Sequence, residues 1–246
     1  MNSQTLIFVH LPKTGGTTIT DILLKVYDAT FYLGPGANFE NSLSTFFSLE
    51  IEKRLELQLV YGHHSYFLKN HFINPILLTF LREPLDLFCS LYHYIRRTPN
   101  HPHFTALKAM KSIQEFIPYS SMTGLNNIQT RFLLNSELHL TNSEYRIQDF
   151  SDTELNKKYL AKAKDNLSEF NYVFFQHQIF QALNILKDKL NWNFIPEFRN
   201  LNVTENRPKI DSLEIEIKNR IKEINKLDID LYNFAKSKEE NNSANV

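Results

Sequence analysis

The strongest constraint on the fold of this chain is the order of three segments near its start. Leu6 to His10 form a short apolar run, the sequence PKTGGTT follows at residues 12–18, and apolar residues then recur at helical spacing from Thr17 to Tyr27. This order predicts a buried strand, a loop rich in glycine and threonine, and an amphipathic helix.

Further apolar runs alternate with segments of helical periodicity. The predicted strands are Leu57–Tyr61, Ile76–Leu81 and Tyr172–Phe175, which are apolar enough to be buried in a parallel sheet. Helical patterns begin at Pro84 and recur around 104–116, 126–134, 152–168 and 178–189. Residues 29–40 contain Gly-Pro-Gly and are predicted to be an irregular loop. The alternation predicts an α/β fold with a central parallel sheet.

The length and composition predict one globular domain. The chain has 246 residues, of which 42% are hydrophobic and 22% charged. Residues 209–236 are strongly amphipathic and are predicted to form a helical C-terminal tail that packs on the core. Residues 237–246 are poor in apolar side chains and are predicted to be disordered. The predicted domain therefore covers residues 1–236.

The charge balance argues against nucleic acid and anionic membranes as partners. Lys and Arg together number 27, as do Asp and Glu, so an anionic ligand would need a local pocket. The single cysteine, Cys89, excludes an internal disulfide. The chain has neither a secretory start nor a run of 18 apolar residues, so we expect a cytoplasmic protein without a membrane span. The sequence does not indicate an oligomeric state.

The loop after the first strand has the chemistry of an anion site. Ligands of α/β folds gather at the carboxyl ends of the strands, and a helix N-terminus there offers backbone N–H groups. The glycines allow close backbone approach, the threonines add hydroxyl donors and the lysine adds a cation; the residues concerned are Lys13, Thr14, Gly15, Gly16, Thr17 and Thr18. The alternative is an ordinary turn.

A second candidate, FLREPLDLFCSLYHY, covers residues 80–94. Arg82 leaves the predicted strand, Pro84 begins the helix, and Ser90 lies about two turns into it. A guanidinium with a hydroxyl suits a terminal phosphate dianion. The alternative is a structural Arg-Glu pair at the start of the helix with a solvated serine.

A third candidate is His63 in the stretch VYGHHSYFL. Histidine is the side chain whose ordinary pKa lies near neutrality, as a general base requires. The alternative is that His63 and His64 are ordinary loop residues. No Cys pair, His-x-x-x-His set or acidic strand end indicates a metal site, so none is predicted.

The three segments together resemble carbohydrate sulfotransferases that use 3′-phosphoadenosine 5′-phosphosulfate (PAPS), in the form related to heparan sulfate 2-O-sulfotransferase. LPKTGGTT resembles their 5′-phosphosulfate loop, which implies that Lys13 contacts the sulfuryl group and the bridging oxygen. The second segment is similar to their 3′-phosphate motif, which gives that role to Arg82 and Ser90. The third resembles their Gly-His segment, which implies His63 as the base. The family's other histidine is Tyr61 here.

The resemblance implies a P-loop-like three-layer fold and transfer of a sulfuryl group from PAPS to a hydroxyl of a carbohydrate-type acceptor, without a metal. Two alternatives remain open at this point. A P-loop kinase of small molecules would use the same loop, although the lysine precedes the glycines and G-K-[ST] is absent. A catalytically inactive nucleotide-binding module is the other alternative, because Tyr61 departs from the family pattern.

Two weaker similarities extend the resemblance along the chain. NNIQTRFLL, at residues 126–134, resembles a segment of the superfamily, with Asn127, Gln129 and Arg131 as possible pocket residues. NVTENRP, at residues 202–208, is similar to a loop that closes over the nucleotide, and it contains Arg207. His10 is interpreted as a strand-end residue rather than a catalyst.

Overall fold

The computed structural model describes residues 4–34, 37–138, 153–197 and 210–243. The packing distinguishes two compact units, and the single domain over residues 1–236 stays a prediction. The first comprises residues 1–81, 135–137 and 166–202, and the second comprises residues 82–134, 138–165 and 203–246.

The first unit is built on a five-stranded sheet whose neighbouring strands are all parallel. The strands are β1 Leu6–Val9, β2 Thr30–Leu33, β3 Leu59–Gly62, β4 Ile76–Leu81 and β5 Tyr172–Phe175. Their order in the sheet is β2-β3-β1-β4-β5, so β1 lies at the centre. The predicted α/β fold of the P-loop-like kind, with its central parallel sheet, is confirmed.

Eleven α-helices occur in the described ranges, and α7 and α8 each contain residues of both units. They are α1 Gly16–Val26, α2 Ala37–Ser48, α3 Ile51–Leu55, α4 Pro84–Arg96, α5 Phe104–Ala109, α6 Ile113–Thr123, α7 Ile128–Leu138, α8 Thr153–Ser168, α9 Ile179–Lys189, α10 Ile215–Ile224 and α11 Lys226–Ser243. A 3₁₀ helix, Ser65–His71, follows β3. None of these helices is long and apolar enough to cross a bilayer.

The core of the first unit explains why β1 fixes the position of the loop that follows it. Leu6 and Phe8 lie in a cluster with Ile19 and Leu23 of α1 and Leu183 of α9, all of them buried. Full burial of a side chain of this size stabilises the fold by about 1.5–3 kcal/mol. Because β1 and α1 are both held by this cluster, the residues between them must turn within a short distance.

The prediction of an irregular loop over residues 29–40 is wrong for part of that range. Thr30–Leu33 forms β2, which pairs with β3 at the edge of the sheet, and Ala37 begins α2. A β-branched residue followed by two aromatic residues suits a strand. The four residues show little alternation of polar and apolar side chains and precede Gly-Pro-Gly, so the sequence indicated a turn more strongly than a strand.

Two predicted helices are interrupted. The segment 104–116 divides into α5 and α6, because Met110 adopts an extended conformation with φ −68° and ψ 137°. The amphipathic tail divides into α10 and α11 at Asn225. Helix α11 continues to Ser243, beyond residue 236 where the sequence analysis expected order to end, and residues 244–246 lie outside the described residues.

The second unit has its own apolar core, formed around α4. Phe88 of α4 packs against Phe116 of α6 with ring centroids 4.8 Å apart. Ile95 of α4 and Ile221 of α10 are fully buried in the same cluster. The spacing of buried residues along α4 therefore fixes which of its faces is turned away from solvent, and with it the position of Ser90.

Candidate functional site

The loop after β1 turns sharply into α1. Lys13 has φ 64° and Gly15 has φ 90°, both left-handed conformations. The hydroxyl of Thr14 is buried and donates to the carbonyl of Leu11 at 2.8 Å. Helix α1 begins at Gly16 with no capping side chain and no acidic residue in its first turn. Its N-terminus therefore retains the partial positive charge that favours an anion.

Gly16 is required by the close approach of His10. A Cβ atom at position 16 would lie 1.9 Å from Cδ2 of the His10 ring, so any side chain there would collide with the imidazole. The predicted threonines differ from each other: Thr18 is buried, whereas Thr17 is exposed. The imidazole of His10 thus lies directly against the first residue of α1.

We expect Gly16→Ala to lower the free energy of unfolding by about 1–3 kcal/mol, the usual cost of overpacking. The added methyl must displace the His10 ring, so removing that ring should relieve the strain. In thermal unfolding, the double variant His10→Ala/Gly16→Ala should lose less stability than the sum of the two single variants. Thr17→Ala, an exposed change in the same turn, is the control and should change stability by no more than about 0.5 kcal/mol. If the stability loss of the double variant equals the sum of the losses of the two single variants, the contact between His10 and residue 16 is contradicted.

His63 is held against β1 by a backbone contact. Its Nδ1 donates to the carbonyl oxygen of His10, and the two imidazole centroids are 4.6 Å apart. A carbonyl can only accept, so in the neutral imidazole the lone pair is on Nε2. The preceding residue, Gly62, has φ 144°, and a Cβ there would lie 2.2 Å from the carbonyl oxygen of Leu33. The glycine of the Gly-His pair is therefore required by sheet geometry.

The environment keeps both imidazoles neutral near pH 7. Burial lowers the pKa of His63, while the backbone hydrogen bond to His10 raises it by a smaller amount. Burial also lowers the pKa of His10 to about 3, with further contributions from His63 and from the positive charge of Lys13. His10 and His63 therefore form a contact at the carboxyl ends of β1 and β3, and the positive charge of Lys13 acts on it from the loop that follows β1.

Tyr61 and His64, on either side of the Gly-His pair, contact other aromatic residues. The ring of Tyr61 lies 5.1 Å from that of Tyr32 in the neighbouring strand. His64 is buried, with its ring 5.3 Å from Phe39 of α2. The second histidine beside His63 is therefore His10, from the adjacent strand. The sequence pattern indicated that His10 lies at a strand end but gave no sign of this contact.

In the second unit the structure brings Arg82 and Ser90 together, as the motif predicted. The guanidinium donates from Nη1 to the Ser90 hydroxyl at 3.0 Å and from Nε to Asp86 Oδ2 at 2.6 Å. Pro84 begins α4, and Glu83 caps it by accepting the amide of Asp86 at 2.7 Å. The acidic partner of Arg82 is thus Asp86, whose role sequence analysis missed.

The NNIQTRF segment is largely turned into the second unit. Gln129 is fully buried. The guanidinium of Arg131 donates to the backbone oxygen of Asn126 at 2.8 Å and to the side-chain oxygen of Asn126 at 2.9 Å. Burial lowers the pKa of Arg131 to about 10, while the nearby carboxylate of Asp228 opposes that shift. Of the three predicted pocket residues, Asn127 lines a cavity of about 540 Å³ in this unit. Arg207 and the 202–208 segment lie outside the described residues.

The sequence model of a family described as "Sulfotransferase family" matches residues 2–235, which is nearly the whole chain. No curated protein matches the chain. Among the residues that the structure describes, no cluster of three or more His, Cys, Asp or Glu side chains is arranged to hold a metal ion.

Proposed function

Because the chain belongs to the sulfotransferase family, we propose that it transfers a sulfuryl group from PAPS to a hydroxyl group of a carbohydrate-type acceptor by in-line displacement. PAPS supplies the activated sulfuryl group, with 3′-phosphoadenosine 5′-phosphate (PAP) as the leaving group. The observation that carries the proposal is the pair of neutral imidazoles beside the lysine of the anion loop. The carbohydrate acceptor rests on the resemblance of LPKTGGTT to the glycan-modifying enzymes.

His63 is the proposed general base. Its Nδ1–H is committed to the carbonyl of His10, so Nε2 carries the lone pair that would take the proton of the acceptor hydroxyl. Its lowered pKa keeps that lone pair available near pH 7. As the acceptor oxygen bonds to sulfur, the proton passes to Nε2 and the bond between sulfur and the 5′-phosphate oxygen breaks. The backbone that directly follows β1 thus orients the base.

Lys13 and the start of α1 fit the charge that develops on the leaving phosphate. The loop offers the ammonium of Lys13, and α1 begins at Gly16, where a side chain is excluded. A lysine is a mobile point charge and can follow negative charge as it grows on the bridging oxygen. Lys13, Thr14, Gly15, Gly16, Thr17 and Thr18 are therefore proposed as the segment that binds the 5′-phosphosulfate.

Arg82 and Ser90 fit the 3′-phosphate. The Ser90 hydroxyl accepts from Arg82 and can at the same time donate its own proton to a phosphate oxygen. A guanidinium with an adjacent hydroxyl is the pairing expected for a terminal phosphate dianion. The side chain of Arg82 is 15% exposed, so its charge is partly removed from water, where a phosphate contact is strengthened.

Isothermal titration with PAP, adenosine 5′-phosphate (AMP) and ATP with magnesium tests the proposal. We expect PAP to bind in the micromolar range, to bind more tightly than AMP, and to lose about 100-fold in affinity in Arg82→Ala. The matched control is Arg97→Ala, which removes an exposed cation that follows the same helix and should leave PAP binding unchanged. Preference for ATP with magnesium would favour a kinase. Absence of nucleotide binding would contradict the donor assignment.

A further inference from the structure

Gln129 makes two hydrogen bonds to the backbone of Arg82. Its side-chain oxygen accepts the Arg82 amide at 2.8 Å, and its side-chain nitrogen donates to the Arg82 carbonyl at 3.0 Å. Gln129 is completely buried. Arg82 lies between the end of β4 and Pro84, the first residue of α4. One side chain therefore satisfies both backbone groups of a residue that lies between two regular elements.

Gln129 is itself fixed by a buried carboxylate. Asp228 of α11 accepts the amide of Gln129 at 3.1 Å, and it accepts both the amide and the hydroxyl of Thr130 at 2.7 Å. Asp228 is almost fully buried, and burial raises the pKa of its carboxyl, while the hydrogen bonds from Thr130 and Gln129 and the positive charge of Arg131 oppose that shift. The start of α7 is thus held to α11 by three hydrogen bonds to one buried carboxyl group.

A second set of bonds sets the register of this attachment. Asn127 has φ 46°, a left-handed conformation that asparagine tolerates, and its side-chain oxygen accepts the amides of Leu227 and Asp228 at 3.0 and 3.2 Å. In return, the backbone amide of Asn127 donates to the side-chain oxygen of Asn225 at 2.9 Å. The position of Gln129 is therefore determined by the junction of α10 and α11.

We propose that Gln129 is a positioning residue that sets the direction of the Arg82 side chain toward the 3′-phosphate of the donor. This inference rests on the proposed function, because it takes Arg82 as the 3′-phosphate ligand. With its amide and carbonyl held by one buried side chain, Arg82 has a fixed backbone from which its guanidinium reaches Ser90 and Asp86. Preorganisation of this kind reduces the entropy that binding must offset.

The residue type is specific to this role. A primary amide carries both an acceptor and a donor, so it can bond to a backbone N–H and a backbone C=O together. Methionine has nearly the same length and volume but offers neither bond in useful strength. Gln129→Met therefore removes the two bonds without opening a cavity, whereas Gln129→Ala also removes packing. Ile128→Ala is the matched control, since Ile128 is the buried neighbour in the same turn.

The test measures the ratio of the affinities for PAP and AMP by titration calorimetry, with thermal unfolding alongside. AMP lacks the 3′-phosphate. General damage to the fold should therefore weaken the binding of both nucleotides, whereas misplacement of Arg82 should weaken the binding of PAP alone. We expect Gln129→Met and Gln129→Ala to lower the ratio about tenfold, as loss of an orienting partner does at metal sites. Ile128→Ala should lower the unfolding temperature and leave the ratio unchanged.

The outcomes separate this inference from the proposed function. If the wild-type chain prefers PAP and Arg82→Ala abolishes that preference, but Gln129→Met retains it, only the positioning role is overturned. If the wild-type chain shows no preference, or Arg82→Ala keeps it, the donor assignment is overturned and the inference with it. If neither Gln129 variant folds while Ile128→Ala does, Gln129 is required for the stability of the fold. That outcome also overturns the positioning role.

Discussion

Replacing His63 by alanine is expected to lower kcat by about 10²–10⁴-fold, the usual contribution of a general base. The affinity for PAP should change by no more than about twofold, because the imidazole is proposed to act on the acceptor hydroxyl rather than on the nucleotide. Steady-state kinetics with a carbohydrate acceptor and calorimetry with PAP measure the two quantities separately. An unchanged kcat would show that His63 is not the base.

The pH profile gives an independent check on His63. The base must be unprotonated, and burial lowers its pKa, so kcat/KM should fall on the acid side with an apparent pKa below 6.5. This acid limb should be absent from the residual activity of His63→Ala. His71→Gln is the matched control, because burial also lowers the pKa of His71, which packs on Phe47. Its acid limb should remain. Loss of the limb in both variants would contradict the assignment.

Replacing Lys13 by alanine is expected to lower kcat by about 10²–10³-fold, as loss of one group that stabilises transition-state charge does. Affinity for PAP should fall less, because the charge on the bridging oxygen is largest during transfer. Single-turnover kinetics under saturating PAPS measure the first effect, and PAP titration measures the second. Lys25→Ala, which removes an exposed lysine of α1 paired with Asp21, is the control. Equal losses of turnover and PAP affinity in Lys13→Ala would contradict a role in the transition state.

Local sequence pattern predicted most of the first unit and the start of α4 in the second. The strand, loop and helix from Leu6 to Val26, the strand Ile76–Leu81 and the start of α4 at Pro84 are confirmed, because each combines an apolar run with a turn or capping residue. The sequence motif also pointed to Arg82 and Ser90 together, since it places the arginine at a strand end and the serine about two turns into the helix that follows, and the two side chains are hydrogen-bonded. The strand Thr30–Leu33 was not, because edge strands carry a weak pattern.

The remaining parts of the site depend on contacts between distant residues. The bond between His63 and His10 follows from β3 lying beside β1, and strand order is not encoded in local periodicity. Gln129 is 47 residues from Arg82 and 99 from Asp228, so its hydrogen bonds carry no local signal. The sequence resemblance marked the NNIQTRF segment as important. Only the fold distinguishes a residue that holds a ligand from one that holds another residue.

The burial that keeps the two imidazoles neutral also links catalysis to acid sensitivity. In the unfolded chain His10 titrates near 6.5, whereas in the folded chain its pKa is about 3. Between those values the unfolded chain binds more protons, so the free energy of unfolding decreases as the pH falls from about 6.5 toward 3. The lowered pKa of His63 acts in the same direction. The burial that would keep the proposed base neutral at pH 7 therefore lowers the stability of the fold in acid.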